Sequence, residues 1–194
     1  GGSAKFNNTI CKYNNVRETA SFNKCPVEAN NNIVKESKGE GILFLKCSGI
    51  CINNQLYNIP DAIEATFCTN FTISENYLLN APDDGIDVNY GSNINVINNT
   101  AINCKDKGLS ITANPKDSTI YFHNNYIANC KRGIGVEGEG IINLKGNIYV
   151  NNQTQLFLEN TEGLTVTSNR EQFSSQKTID SHVKLVAPKE YRKE

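Results

Sequence analysis

The sequence predicts an all-β solenoid: a coil of about 22 residues per turn, whose three short strands stack in parallel on their counterparts one turn along. Three observations predict it. Residues 83–136 repeat one pattern, since Asp84-Gly85-Ile86-Asp87-Val88 returns as Lys107-Gly108-Leu109-Ser110-Ile111 and as Arg132-Gly133-Ile134-Gly135-Val136. Short in-out-in runs of apolar residues recur before and after that stretch. An Asn-Asn pair closes successive copies, at Asn98-Asn99 and Asn124-Asn125.

The first strand of each turn has the inward pairs Ile42/Phe44, Ile63/Ala65, Ile86/Val88, Leu109/Ile111, Ile134/Val136 and Leu156/Leu158, spaced by 21, 23, 23, 25 and 22 residues. The second strand has Ile50/Ile52, Phe71/Ile73, Ile94/Val96, Ile120/Phe122, Ile142/Leu144 and Leu164/Val166. Alternation with period two is the signature of a strand with one buried face. Each run is short and ends in Asn, Gly or Ser, which suit corners.

Two Asn columns follow the strands. Asn54, Asn76, Asn99, Asn125, Asn147 and Asn169 form the first, and Asn58, Asn80, Asn103, Asn129 and Asn151 the second. Stacked amides can bond to one another along the axis. A buried amide needs such partners, because leaving it unpaired costs roughly 1–3 kcal/mol. Both columns are therefore expected to point inward or into corners and to form ladders. A weaker turn precedes, where Phe6-Asn7-Asn8-Thr9-Ile10 echoes Ile97-Asn98-Asn99-Thr100-Ala101, and Val27, Ala29 and Asn32 open the next. The coil is expected over 4–173 in seven to eight turns. Residues 174–194 lose the pattern and read as a cap and polar tail, with Val183–Val186 as the capping strand.

Composition agrees. The 194 residues include 30 Asn but no Met and no Trp, which suits corners better than helices. The net charge of -1 gives no basic footprint for nucleic acid, and no apolar run is long enough to span a membrane. Gly1-Gly2-Ser3 reads as an appended linker, and the natural chain is expected to begin further upstream. No signal peptide is visible.

The chemistry concentrates where each turn enters its first strand. Stacked by turn, the residues there form the columns Asp61–Asp84–Lys107–Arg132 and Asp83–Asp106–Lys131. Outward positions beside them add Glu64, Asp87, Asn89, Ser110, Thr112 and Glu137. Asp84, Asn89, Ser110, Thr112, Lys131 and Glu137 are the candidate substrate-binding residues. Asp83, Asp84 and Asp87, with Asn89, offer hard oxygen donors suited to Ca2+, and no other cofactor is expected. Adjacent opposite charges also form ordinary exposed pairs worth roughly 0–1 kcal/mol, a purely structural alternative.

With this pattern the chain resembles the right-handed parallel β-helix of the pectin-lyase-like superfamily, over residues 27 to 169. Its DDGID…NN…DKGLSI…NN…GIGV pattern most fully resembles small Asn-rich β-helix repeat proteins, some found beside spore-coat-type or surface proteins. The resemblance implies a right-handed single-stranded parallel β-helix with Asn ladders. It also implies a polysaccharide groove along the first strand. Asp84-Gly85-Ile86-Asp87 is similar to an element of polygalacturonase-type glycosidases, which would make Asp87 and Asp106 the catalytic carboxylates. That family's next paired aspartate is here Lys107, and its histidine is Arg132. Some β-helix lyases resemble the alternative, with Lys107 as base and Arg132 neutralising a uronate. Lys107 lies between Asp84 and Asp106, which favour its protonated form and a clamping role.

Cys47 and Cys68 should stack on neighbouring turns, as should Cys104 and Cys130. The seven cysteines, without a CxxC, suggest corner-filling thiols rather than zinc. A strand spacing near 4.8 Å also permits a disulfide. His123 is expected in an exposed turn, and Leu43, Leu45 and Phe157 on the outer face of the first strand. Four N-x-S/T sequons, at Asn7, Asn70, Asn98 and Asn152, are weak indications of secretion. The function expected is a secreted or surface module that binds a polysaccharide through the charged groove on the first-strand face, with Lys107 and Arg132 clamping an acidic glycan, or that binds another protein along that groove. The alternatives are a lyase-like enzyme acting on acidic glycans and a non-catalytic spacer or assembly module.

Overall fold

The computed structural model describes residues 2–12, 18–160, 162–173 and 179–180. They form 24 strands and no helix, in three eight-stranded parallel sheets that wind about seven turns. The first sheet runs from Glu18–Asn23 to Ile179–Asp180, and includes Ile63–Thr66, Ile86–Asn89, Lys107–Asn114, Arg132–Gly138 and Thr154–Glu159. The second runs from Ala4–Asn7 to Leu164–Asn169, and the third from Ile10–Lys12 to Gln172–Phe173. The expected capping strand, Val183–Val186, lies outside the described residues.

Each apolar pair of the first sheet stacks on its neighbour as the alternation requires. Ile42, Ile63, Ile86, Leu109, Ile134 and Leu156 form one buried row across the turns. One turn has no second layer to bury this face; the turns above and below supply it. The recurring Gly before these rows answers to close approach. A Cβ on Gly85 would lie 2.5 Å from the Gly108 carbonyl oxygen, and one on Gly108 would lie 2.3 Å from Ile127.

The Asn-Asn dipeptide has a division of labour. Its first residue takes the left-handed corner, with φ of 54° at Asn53, 56° at Asn98 and 53° at Asn124. Asn tolerates that conformation better than most residues. Its second residue turns inward and joins a buried ladder Asn32–Asn54–Asn76–Asn99–Asn125–Asn147. From Asn54 on, each Oδ1 accepts both the backbone N–H and the Nδ2 of the Asn one turn before, as Asn125 Oδ1 does from Asn99 at 2.9 and 3.1 Å. Each Nδ2 also donates back to a strand carbonyl, Asn99 to Ile73 at 2.9 Å. The second Asn column occupies exposed left-handed corners, and its amides bond along the axis, Asn103 to Asn80 and Asn80 to Asn58.

Three register expectations are corrected. In the turn at 48–52, Gly49 and Cys51 face inward rather than Ile50 and Ile52. A slip of one residue exchanges the faces of a strand. Gly49, at φ 125°, approaches the Val27 carbonyl oxygen where a Cβ would sit 2.1 Å from it. In the last turn Val166 aligns with Ile142, and Ser168 with Leu144. The ladder position there is Glu171, not Asn169. Its carboxylate accepts the Asn147 N–H and Nδ2 at 3.3 and 3.0 Å and the Tyr149 hydroxyl at 2.8 Å. The opening turn exists one residue out of the expected register: Phe6 aligns with Ala29, and the Thr9 N–H starts the ladder on Asn32 Oδ1.

Asn99→Ala should lower stability in urea denaturation by roughly 1–3 kcal/mol, because it orphans buried donors and an acceptor. Asn98→Gly, at an exposed corner, should change it by less than about 0.5 kcal/mol. Similar losses for the two would remove the ladder from the energetics.

Candidate functional site

Parallel pairing in the first sheet builds both charged columns at its entry edge. Backbone bonds carry the order: Arg132 N–H donates to the Asp106 carbonyl, Asp106 N–H to that of Asp83, and Asp83 N–H to that of Pro60. One column to the side, Lys107 pairs with Arg132, and its N–H donates to Asp84 Oδ1 at 2.7 Å. The side chains then close a network. Lys107 Nζ lies 3.0 Å from Asp84 Oδ2 and 3.2 Å from Asp106 Oδ2. Arg132 Nη1 reaches both Asp106 oxygens at 3.2 Å, and Lys131 Nζ lies 3.5 Å from Oδ1. The Arg132 guanidinium also lies 4.0 Å over the Phe157 ring, which covers that outward aromatic. The Lys107 stem crosses Gly135, where a Cβ would meet it at 2.3 Å.

Charge states follow from this packing. Burial disfavours the Lys107 ammonium, but Asp84 and Asp106 outweigh it and hold its pKa above the ordinary value. Burial likewise raises Asp106, but Lys107, Arg132 and Lys131 together pull it below the usual carboxylate range. Asp84 is more deeply buried than Lys107, so desolvation wins there and its pKa rises despite the cation. The charged neighbours acting on Asp61 and Asp87 are carboxylates. Burial and neighbouring aspartates push Asp61 up to about 7, and burial and Asp84 push Asp87 up to about 6.

The outer face of the first sheet continues the site. Glu64, Asp87 and Ser110 share one row, and Thr66, Asn89, Thr112 and Glu137 the next. Asp87 Oδ2 accepts from Asn89 at 2.6 Å, and Glu64 Oε1 from Thr66 at 2.8 Å. Ser110, expected on the open face, is only 1% exposed, because the strand beside it carries the Lys107 stem at Gly135. Glu137 sits at the far rim and accepts from Asn160.

The candidate metal donors are redistributed. Oxygens of Asp61, Asp83 and Asp84 lie within 4.8 Å of one another, a hard-donor set of the kind Ca2+ takes. Asp61 replaces Asp87, which is turned to Asn89. All seven cysteines are free thiols. Cys104 and Cys130 stack, with the Cys104 N–H 3.4 Å from Cys130 Sγ.

Sequence reasoning missed Phe67 and Tyr90. They sit in left-handed corners at φ 53° and 54°, uncommon for bulky residues. Their rings stack at 4.7 Å and are 46% and 47% exposed. The available signal was positional, because they stand where Lys24 and Lys46 stand in earlier turns. His123 is also reassigned: it ends the strand Thr119–His123, half-buried, with Nε2 2.8 Å from Asn143 Oδ1.

Residues 3–171 match the family model described as the right-handed β-helix region. No curated protein matches the chain.

The raised carboxylates set a pH dependence. The folded pKa values of Asp61 and Asp87 lie above the ordinary value of about 3.9, so between the two values the folded state holds more protons than the unfolded state. Their contribution is fully present below about pH 4 and is lost as pH rises through about 6 to 7. In EDTA-containing buffers, Tm should fall between about pH 4 and 7, and Asp61→Asn should flatten that fall. An unchanged slope in the variant would show that Asp61 titrates normally.

Proposed function

The chain belongs to the right-handed β-helix family, and on that scaffold we propose a non-catalytic polysaccharide-binding module, secreted or at the cell surface. The glycan lies along the outer face of the first sheet. The observation that supports this reading most is the regular row of hydrogen-bonding side chains there. Glu64 and Asp87 hold Thr66 and Asn89 in fixed poses, and Thr112 extends the row. The rows recur every strand spacing of about 4.8 Å, close to the rise of one sugar in an extended chain. Phe67 and Tyr90 add an exposed apolar rim for sugar C–H groups.

Charge favours a neutral, hydroxyl-rich glycan over an acidic one. Lys107, Lys131 and Arg132 all pair with Asp84 or Asp106, so their charge is spent within the protein. Those pairings also argue against the lyase reading, since a base must be neutral and Lys107 is held protonated. One observation favours hydrolysis as a second reading: Asp87 is pushed up and Asp106 down, the divergence an acid–base pair requires. Against it, both Asp106 oxygens already accept from Arg132.

Affinity electrophoresis over neutral and uronate-bearing polysaccharides tests the proposal. A neutral chain should retard the protein, and Phe67→Ala with Tyr90→Ala should weaken retardation at least about tenfold, with Tm retained. Retardation by no glycan would leave the spacer role. Release of new reducing ends or unsaturated uronides would establish catalysis instead.

A further inference from the structure

A second site lies on a different face. Three adjacent strands of the second sheet, Thr119–His123, Gly140–Lys145 and Leu164–Asn169, align two outward rows. One row is Tyr121–Asn143–Thr167, and the other is His123–Lys145–Asn169. With the Leu144 backbone as floor, these six residues line a cleft of about 230 Å³. We propose that this cleft binds a sugar acid, one ring carrying a carboxylate, independently of the first-sheet face.

The side chains supply each part of such a ligand. Lys145 is exposed, and no ion pair holds it among the described residues. No carboxylate lines the cleft, so the ammonium is available to an anion. This contrasts with the entry edge of the first sheet, where Asp84 and Asp106 consume the cations. His123 is fixed before any ligand arrives. Its Nε2 donates to Asn143 Oδ1 at 2.8 Å, and Tyr121 meets its ring edge-on at 5.6 Å. That leaves Nδ1 as the ring atom for a ligand hydroxyl. Asn169 and Thr167 add amide and hydroxyl groups at spacings set by the strands. The Tyr121 ring offers apolar area to the sugar C–H groups. Prior fixing of the polar groups reduces the ordering cost of binding.

NMR titration of the full chain with glucuronate, glucose and acetate in parallel tests the proposal. Glucuronate should shift the backbone resonances of 121–123, 143–145 and 167–169 saturably and leave Asp87 and Asn89 unmoved. Glucose and acetate should each bind at least about tenfold more weakly, because each lacks half of the recognised groups. Lys145→Gln, which keeps the stem and removes the charge, should cost about tenfold, while Lys38→Gln, at an exposed lysine outside the cleft, should cost nothing. Equal binding of acetate would reduce the cleft to a simple anion site and overturn the sugar assignment. Absence of saturable shifts at the cleft, with the first-sheet face responding or not, would overturn the site altogether.

Discussion

The buried amide ladder is the interaction on which the rest of the structure depends. Apolar stacking alone tolerates slips of two residues, because the same faces stay buried. The ladder does not. Each Asn from Asn54 to Asn125 must place Oδ1 under two donors of the turn before while its Nδ2 reaches both a strand carbonyl and the next amide. That requirement fixes the turns against one another. The charged columns inherit their order from it, since Lys107 meets Asp84 only if its turn sits one step along and in phase.

Inside this frame the outer surface is free to vary. The corridor along the first sheet varies by row: Glu64, Asp87, Ser110 and Gly135 succeed one another at equivalent backbone places. Gly135 leaves room for a neighbour's stem, so Lys107 can lie flat and reach two carboxylates. A side chain at that place would lift the stem and loosen the network. The polar face thus combines a rigid, self-neutralised edge with a row of oriented acceptors. The second sheet, by contrast, holds a cation with no ion pair among the described residues, beside a fixed imidazole.

Much of this was legible in the sequence, for physical reasons. Burial of one strand face forces alternation, so the six inward pairs from Ile42/Phe44 to Leu156/Leu158 could be read, whereas Ala20/Phe22, one turn earlier, was missed. The order of Asp61, Asp84, Lys107 and Arg132 followed from the same register. The failures have equally specific causes. Ile50 and Ile52 looked like core because both are apolar, yet Gly49 faces in, where the chain touches Val27. The short two-residue gap from Ile52 to Asn54 was the available sign. Asn169 seemed to end the ladder because a slip of two leaves alternation intact. Phe67 and Tyr90 escaped because nothing in a strand pattern marks a corner. Burial decides whether a carboxylate is charged, and for Asp61 and Asp87 that needed three dimensions.

The Glu171 carboxylate has a wider consequence. The ladder is polar: every amide presents its oxygen toward the start of the chain and an Nδ2 hydrogen toward the end. An interior turn is therefore interchangeable with its neighbours, because it accepts from one side exactly what it offers to the other. The final turn is not, since Asn147 still offers an N–H and an Nδ2 with no further Asn to take them. A group that accepts from both donors resolves this, and the Glu171 carboxyl oxygens do so where another amide would pass the problem onward. The ladder can thus lengthen by duplication of an interior turn, whereas Glu171 ends the run of amides among the described residues.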